Sequence, residues 1–200
     1  MLRSFVRDES GGPAAEFALV LPVALIFLFG TIDVGRYMWE VNQTEKATQI
    51  GARWAVATDI IASDLKDYSF ALDAGVLQGQ SVPQSDFPGV ICTDTSCTCA
   101  QGGTCDFGMT RDADAFDRLV NRMAQIKPGI TGDNVEVNYA YSGLGFAGDP
   151  NGPDVAPLVS VTVRDLDFTS ISLGLLGVSF TIPDLRYSLT MEDGVGTESN

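Results

Sequence analysis

Gly11-Gly12-Pro13-Ala14-Ala15-Glu16-Phe17 introduces sixteen uncharged, mostly apolar residues that run from Phe17 to Ile32. Extended to residues 12–37, this run has the roughly 20 residues that a helix needs to cross a bilayer. No small-residue cleavage site follows it, which disfavours a cleaved secretory signal. A buried helix of a soluble domain is the less favoured alternative. The stretch predicts a transmembrane helix at 12–37, preceded by a polar segment at 1–11.

Glu16 places a carboxylate at the edge of the apolar run. A charge that enters lipid is costly, and ionisable side chains in membrane segments commonly mark functional sites. The alternative is a side chain that is simply solvated at the boundary between lipid and water. The position of Glu16 makes it a candidate functional residue.

Helical spacing continues beyond the membrane segment. Two stripes of apolar residues recur every three or four positions, which is typical of one face of a helix: Val34, Tyr37, Met38 and Val41, and then Ile50, Trp54, Ala57, Ile61 and Leu65. They predict a continuous helix from Ala14 to about Ala62. The part outside the membrane forms a stalk at 38–65, with its apolar stripe covered by a globular domain.

The composition argues against two classes of function. The formal net charge is −14, and such an acidic surface repels the phosphate backbone of nucleic acids. The sequence has no histidine, so it lacks the commonest general base and metal ligand. No paired-carboxylate motif stands out either. We therefore expect a protein that is not an enzyme and that uses no cofactor or metal.

Four cysteines lie close together in a polar loop at 92–105: Cys92, Cys97, Cys99 and Cys105. An even number of cysteines in a loop outside the membrane predicts two disulfides, with three possible pairings. A zinc site is less favoured because the spacing lacks paired C-x2-C motifs. A redox-active pair at Cys97 and Cys99 is weaker still, because no basic neighbour in sequence lowers the pKa of a thiol.

Residues 66–200 carry the pattern of one α+β domain. We predict a short helix around Phe70 to Leu77 and a second helix that begins after Thr110 or Asp112 and ends at Lys127-Pro128-Gly129. The face of this second helix is predicted to consist of Ala113, Phe116, Val120 and Met123.

Alternating apolar residues predict strands near 135–141 and 159–163, and a third at 180–191 with an edge bulge at Pro183-Asp184. The apolar segment 173–178 is expected to be core or, failing that, a partner contact. The predicted fold is a long N-terminal membrane helix packed on an antiparallel sheet.

The N-terminal junction resembles the prepilin-peptidase site of type IV pilins. Basic residues precede it, and a Gly-x-x-x-x-Glu-Phe sequence leads directly into the apolar helix. The resemblance implies that 1–11 is a leader cleaved after Gly11, with Gly12 as the new N-terminus; cleavage after Gly12 is the alternative. It also implies that Glu16 neutralises the terminal amine of a neighbouring subunit, and Phe17 suits the Flp branch. This junction favours a function for Glu16 over simple solvation.

The sequence that follows this junction resembles the TadE-like proteins of the tight-adherence (Flp) pilus system. The resemblance covers residues 11 to 55 and rests on three stretches: Glu16-Phe17-Ala18-Leu19-Val20-Leu21-Pro22, Gly30-Thr31-Ile32-Asp33-Val34-Gly35-Arg36 and Gly51-Ala52-Arg53-Trp54-Ala55. It implies a minor pilin or pseudopilin of the inner membrane with a pilin-like fold. The N-terminus would be cytoplasmic and the C-terminal domain periplasmic. The related TadF family remains an alternative.

The partners that this resemblance implies are a prepilin peptidase, a TadF-like companion, the major Flp pilin, the inner-membrane assembly platform and membrane lipid. The rival interpretation is a membrane-anchored binding module that uses the helix only as a tether. Entry into the filament and the target of adhesion are left open by the sequence.

Overall fold

The computed structural model describes residues 12–100, 105–150, 152–174, 179–191, 194 and 196. Its helices are α1 (Gly12–Ala57), α2 (Ser63–Asp67), α3 (Ala113–Ala124) and α4 (Ile171–Gly174). Its strands are β1 (Gly89–Cys92), β2 (Cys97–Cys99), β3 (Val135–Ala140), β4 (Leu158–Val163), β5 (Leu166–Thr169), β6 (Ser179–Ile182) and β7 (Leu185–Thr190).

Five of the strands form one sheet in the order β2-β1-β3-β4-β7, in which every neighbouring pair is antiparallel. Strands β5 and β6 form a separate two-stranded sheet. A long apolar N-terminal helix combined with an antiparallel sheet is an α+β architecture, so the predicted fold class is confirmed.

The chain divides into two compact units, and α1 contributes to both. Residues 12–40 and 167–181 form the first, which we call the helix unit. Residues 41–166 and those from 182 onward form the second, the sheet unit. The helix unit therefore takes a segment from late in the chain, which the sequence had assigned to the globular domain.

The core of the sheet unit follows the predicted alternation of strands β3 and β4. Val135, Val137 and Tyr139 lie opposite Val163, Val161 and Val159, and all six side chains are buried. The second half of α1 adds a buried face of small residues, including Ala47 and Ala52. At Gly51 a side chain would meet the sulfur of Met123 at 2.6 Å, so glycine allows α1 and α3 to approach closely.

Helix α1 ends at Ala57, before the predicted boundary at about Ala62. The hydroxyl of Thr58 donates to the carbonyl of Trp54 at 2.8 Å, and the amide of Asp59 donates to Gly196 instead of continuing the helical ladder. Such local side-chain bonds compete with helix formation. The predicted stalk at 38–65 is thus interrupted before α2 begins at Ser63.

Asp59 fixes the chain just after α1. Its carboxylate accepts the amide of Gly196 at 3.0 Å and forms ion pairs with Lys66 at 3.2 Å and Arg118 at 3.1 Å. The amide of Gly196 and the two cations hold the pKa of Asp59 below its usual value, although partial burial opposes them. The carboxylate therefore stays ionised at neutral pH and holds Gly196 near the end of α1.

Three local predictions were wrong in whole or in part. Residues 70–77 form turns and no helix. On the predicted face of α3, Phe116 and Met123 are buried as expected, but Ala113 and Val120 are not, and Ala115 and Leu119 complete the buried face. Asp112 caps the helix as predicted and accepts the amide of Ala115 at 2.9 Å. The predicted bulged strand at 180–191 is two strands, β6 and β7, in different sheets. Pro183 separates them because proline has no amide hydrogen to donate to a ladder.

Tyr139 joins the sheet to the segment after α1. Its ring is fully buried and its hydroxyl accepts the amide of Ile61 at 3.0 Å. Burial raises the pKa of Tyr139, so the phenol remains neutral. The hydroxyl thus satisfies a backbone group that would otherwise be buried without a partner.

We expect Tyr139→Phe to destabilise the protein by about 1–3 kcal/mol, because it leaves the buried amide of Ile61 unpaired. The change in the free energy of unfolding is measured by denaturing the full chain in detergent micelles and monitoring its far-ultraviolet circular dichroism, which reports helix and strand content. Tyr141→Phe is the matched control, since Tyr141 is only half-buried, and we expect a change within about 0.5 kcal/mol. Equal stability of the two variants would contradict the role of the Tyr139 hydroxyl.

Candidate functional site

The first turns of α1 present the predicted assembly residues at the surface. Gly12 begins the helix, and Pro13 follows in the first turn, where a missing amide hydrogen costs nothing. Glu16 and Phe17 are both exposed, and Phe17 is 64% accessible. Gly11, the predicted cleavage residue, lies outside the described residues. Within the part of the chain that the structure describes, no cation pairs with Glu16, so its carboxylate is available to another molecule.

An apolar surface surrounds Glu16 and extends along the helix. One window of 18 residues in α1 has a mean hydropathy of 2.4, and only 6% of it is buried. Large exposed side chains cover this surface on all sides, among them Leu19, Val23, Ile26, Phe27 and Leu28. A helix that is apolar all round and unburied by its own chain is suited to lipid. By length and composition, α1 is therefore a single-pass membrane anchor.

Near the end of this apolar surface, Asp33 binds the segment that contains α4. Its Oδ1 accepts the amide of Ile171 at 2.7 Å, and its Oδ2 accepts the amide of Ser172 at 2.7 Å and the Ser172 hydroxyl at 2.6 Å. Arg36 donates to the same carboxylate at 3.3 Å and to the carbonyl of Thr169 at 3.4 Å. Asp33 is buried. The carboxylate thus satisfies the first amides of α4.

A cavity of about 470 Å³ lies beside this cluster, within the helix unit. Helix α1 contributes residues spaced at i, i+3, i+4 and i+7, and the late segment contributes the opposite wall: Gly30, Asp33, Val34 and Tyr37 face Phe168, Ser170, Ser172, Phe180 and Thr181. The rings of Tyr37 and Phe168 meet edge to face at 5.3 Å. The cavity wall is predominantly apolar.

This site was not predicted from the sequence. Asp33 was named there only within the stretch 30–36 that resembles the TadE-like proteins, and 173–178 was expected to be core or a partner contact. The available signal was Asp33 itself, a carboxylate one residue beyond an apolar run that must cross lipid. The larger part of the apolar segment, 175–178, lies outside the described residues.

The four cysteines form two disulfides, Cys92–Cys97 and Cys99–Cys105. This selects one of the three pairings that the sequence allowed. Part of the predicted loop is a hairpin, in which Cys92 of β1 lies directly opposite Cys97 of β2. Arg111 donates to the carbonyl of Thr93 at 3.0 Å and holds the turn of the hairpin. With all four sulfurs in disulfides, none is a free thiol for metal or redox chemistry.

Over the described residues, the fold and the N-terminal surface define a protein with an apolar membrane helix and an α+β domain. More particularly, residues 11–53 match the family model described as TadE-like protein. The TadE-like resemblance drawn from the sequence is thus confirmed over this segment, which begins at the proposed cleavage residue and continues through most of α1. Comparison with curated proteins gave no match, and neither did comparison with solved structures.

Proposed function

We propose that the chain is a TadE-like minor pilin or pseudopilin that helps to assemble or prime a tight-adherence pilus. The observation that carries the proposal is the TadE-like match over residues 11–53, combined with an exposed Glu16 at the start of that helix that has no cation partner among the described residues. A carboxylate beside lipid is costly unless it has a partner such as a cation, and we infer that a neighbouring chain supplies that cation. Such a residue stabilises the one alignment of neighbouring helices in which the carboxylate and the cation meet.

In this proposal a prepilin peptidase cleaves after Gly11 and frees the amine of Gly12, which pairs with Glu16 of the next subunit. Phe17 adds an apolar contact beside the pair. The chain acts by packing its helix against the major Flp pilin, a TadF-like companion and the assembly platform, and not by catalysis. The N-terminus is cytoplasmic and the sheet unit periplasmic. The two disulfides support this orientation because disulfides persist in oxidising compartments.

The decisive experiment compares the intact mass and N-terminal sequence of the membrane-extracted protein from cells with and without the associated prepilin peptidase. We expect a start at Gly12 only when the peptidase is present. A start at Pro13 would move the cleavage to the bond after Gly12. A start at Met1 in both strains would refute processing and favour the rival function, a binding module that is merely tethered by α1.

A further inference from the structure

A second uncharged segment lies far along the chain from the membrane helix. The sixteen residues between Asp167 and Asp184 include no charged side chain, although 19% of all residues are charged. The run is too short to span a bilayer, since a spanning helix needs about 20 residues. Its first residues form the end of β5 and then α4, and its last described residues form β6.

The part of this segment from Phe168 to Ser172 packs against α1 at the end of the apolar surface. The contacts that hold it involve Asp33, Arg36 and Tyr37 of α1, and the guanidinium of Arg36 lies 5.4 Å from the centre of the Phe168 ring. Arg36, Tyr37 and the exposed Trp39 lie within seven residues of the end of the apolar run at Ile32. Tryptophan, tyrosine and arginine at the end of an apolar helix mark the boundary of the bilayer. The segment therefore sits at the depth of that boundary.

The side chains around the cavity remain partly uncovered. Val34 is 63% accessible, Ile171 45% and Phe180 43%, and together they continue the apolar surface of α1. The one charged group that the described residues place in the cavity wall, the Asp33 carboxylate, does not call for a cationic occupant, because it is satisfied by the amides of α4 and by the Ser172 hydroxyl. A cavity of this kind suits a hydrocarbon chain.

We propose that residues 168–174 and 179–181 form a second membrane contact, which lies in the bilayer interface beside α1 and takes the acyl chain of a bilayer lipid into the cavity. The lipid is favoured over a second protein chain because the cavity opens within the surface that α1 presents to the hydrocarbon. This inference requires only that α1 is a membrane anchor, and it holds whether or not the protein enters a pilus.

The test uses the full chain in phospholipid vesicles and a single tryptophan as reporter. In a background with Trp39→Phe and Trp54→Phe, Phe180→Trp places the reporter at the cavity and Phe146→Trp is the control. Phe146 is 41% accessible, close to the value for Phe180, but belongs to the sheet unit. Ile171→Trp is a second reporter, in case Phe180→Trp does not fold.

We expect a phosphatidylcholine with a brominated acyl chain to quench the reporter at 180 or 171 at least about twofold more than the reporter at 146, as for a side chain in the acyl boundary. Acrylamide, which stays in the water, should quench the reporter at 146 more strongly than the reporter at 180 or 171. Strong quenching at 180 and 171 by acrylamide, and none by the brominated lipid, would overturn the proposal. So would the absence of quenching by both reagents, which would mean that protein covers the segment.

Two glycines of α1 test the cavity itself. A side chain at Gly30 or Gly35 would meet nothing within 4 Å, but only Gly30 lines the cavity. We expect Gly30→Leu to fill the cavity and to lower lipid quenching at position 180 by roughly half, while Gly35→Leu leaves it unchanged. Equal quenching in both variants would refute occupation by an acyl chain. Flotation of every variant with the vesicles verifies the anchor independently.

Discussion

A chain that carries Glu16→Ala is expected to enter the membrane and to be processed, but to fail to assemble. Glu16 is exposed at the start of α1, surrounded by the apolar side chains of the membrane surface. If the amine of Gly12 in a neighbouring subunit pairs with it, alanine leaves that amine in lipid without a partner. Removing one partner of a desolvated pair is strongly destabilising, so we expect assembled material to fall by roughly tenfold or more.

The measurement separates assembly from insertion. Resistance to alkaline extraction reports insertion, intact mass reports processing, and the amount of sedimentable pilus reports assembly. Glu45→Ala is the matched control, since Glu45 is an exposed glutamate on the same helix beyond the apolar run; it should assemble normally. Wild-type amounts of pilus from the Glu16→Ala chain would disprove the pairing role.

The parts of the fold that sequence predicted correctly depend on local patterns. A single apolar segment such as the one after Glu16 must form a helix in lipid, because its backbone amides and carbonyls have to form their hydrogen bonds within the segment. The alternation of Val135, Val137 and Tyr139 likewise places one face of β3 in the core. Both patterns are complete within a few turns of chain, so no distant contact was needed to interpret them.

The features that sequence missed depend on partners far away in the chain. Asp33 binds the amides of Ile171 and Ser172, which lie 138 and 139 positions away in the sequence. No local pattern around Asp33 or around Ile171 indicates that the two segments are in contact. The end of α1 at Ala57 depends similarly on Gly196. Its carbonyl accepts the amide of Asp59, and its amide donates to the Asp59 carboxylate. Helical spacing continued past this point in the sequence and could not reveal the competing bonds. The pairing of the cysteines also required the hairpin register.

The contact between Asp33 and α4 leads to the second large effect. We expect Asp33→Ala to release residues 168–174 from α1, because the change removes the acceptor of two amides and one hydroxyl together. Ser172→Ala removes only one hydroxyl from the same cluster and leaves both amide bonds intact. It is therefore the graded control for the loss of the carboxylate.

Hydrogen exchange of the full chain in detergent micelles or vesicles, read by mass spectrometry, distinguishes these variants. For Asp33→Ala, we expect the amides of Ile171 and Ser172 to exchange at least about tenfold faster. In the wild type these amides exchange only when their bonds to the Asp33 carboxylate break, and the variant lacks those bonds. Ser172→Ala should show a smaller change, and strand β4 provides an internal reference in the sheet unit. Unchanged exchange at Ile171 and Ser172 in Asp33→Ala would mean that the apolar contacts of Phe168 and Phe180 hold the segment without the carboxylate.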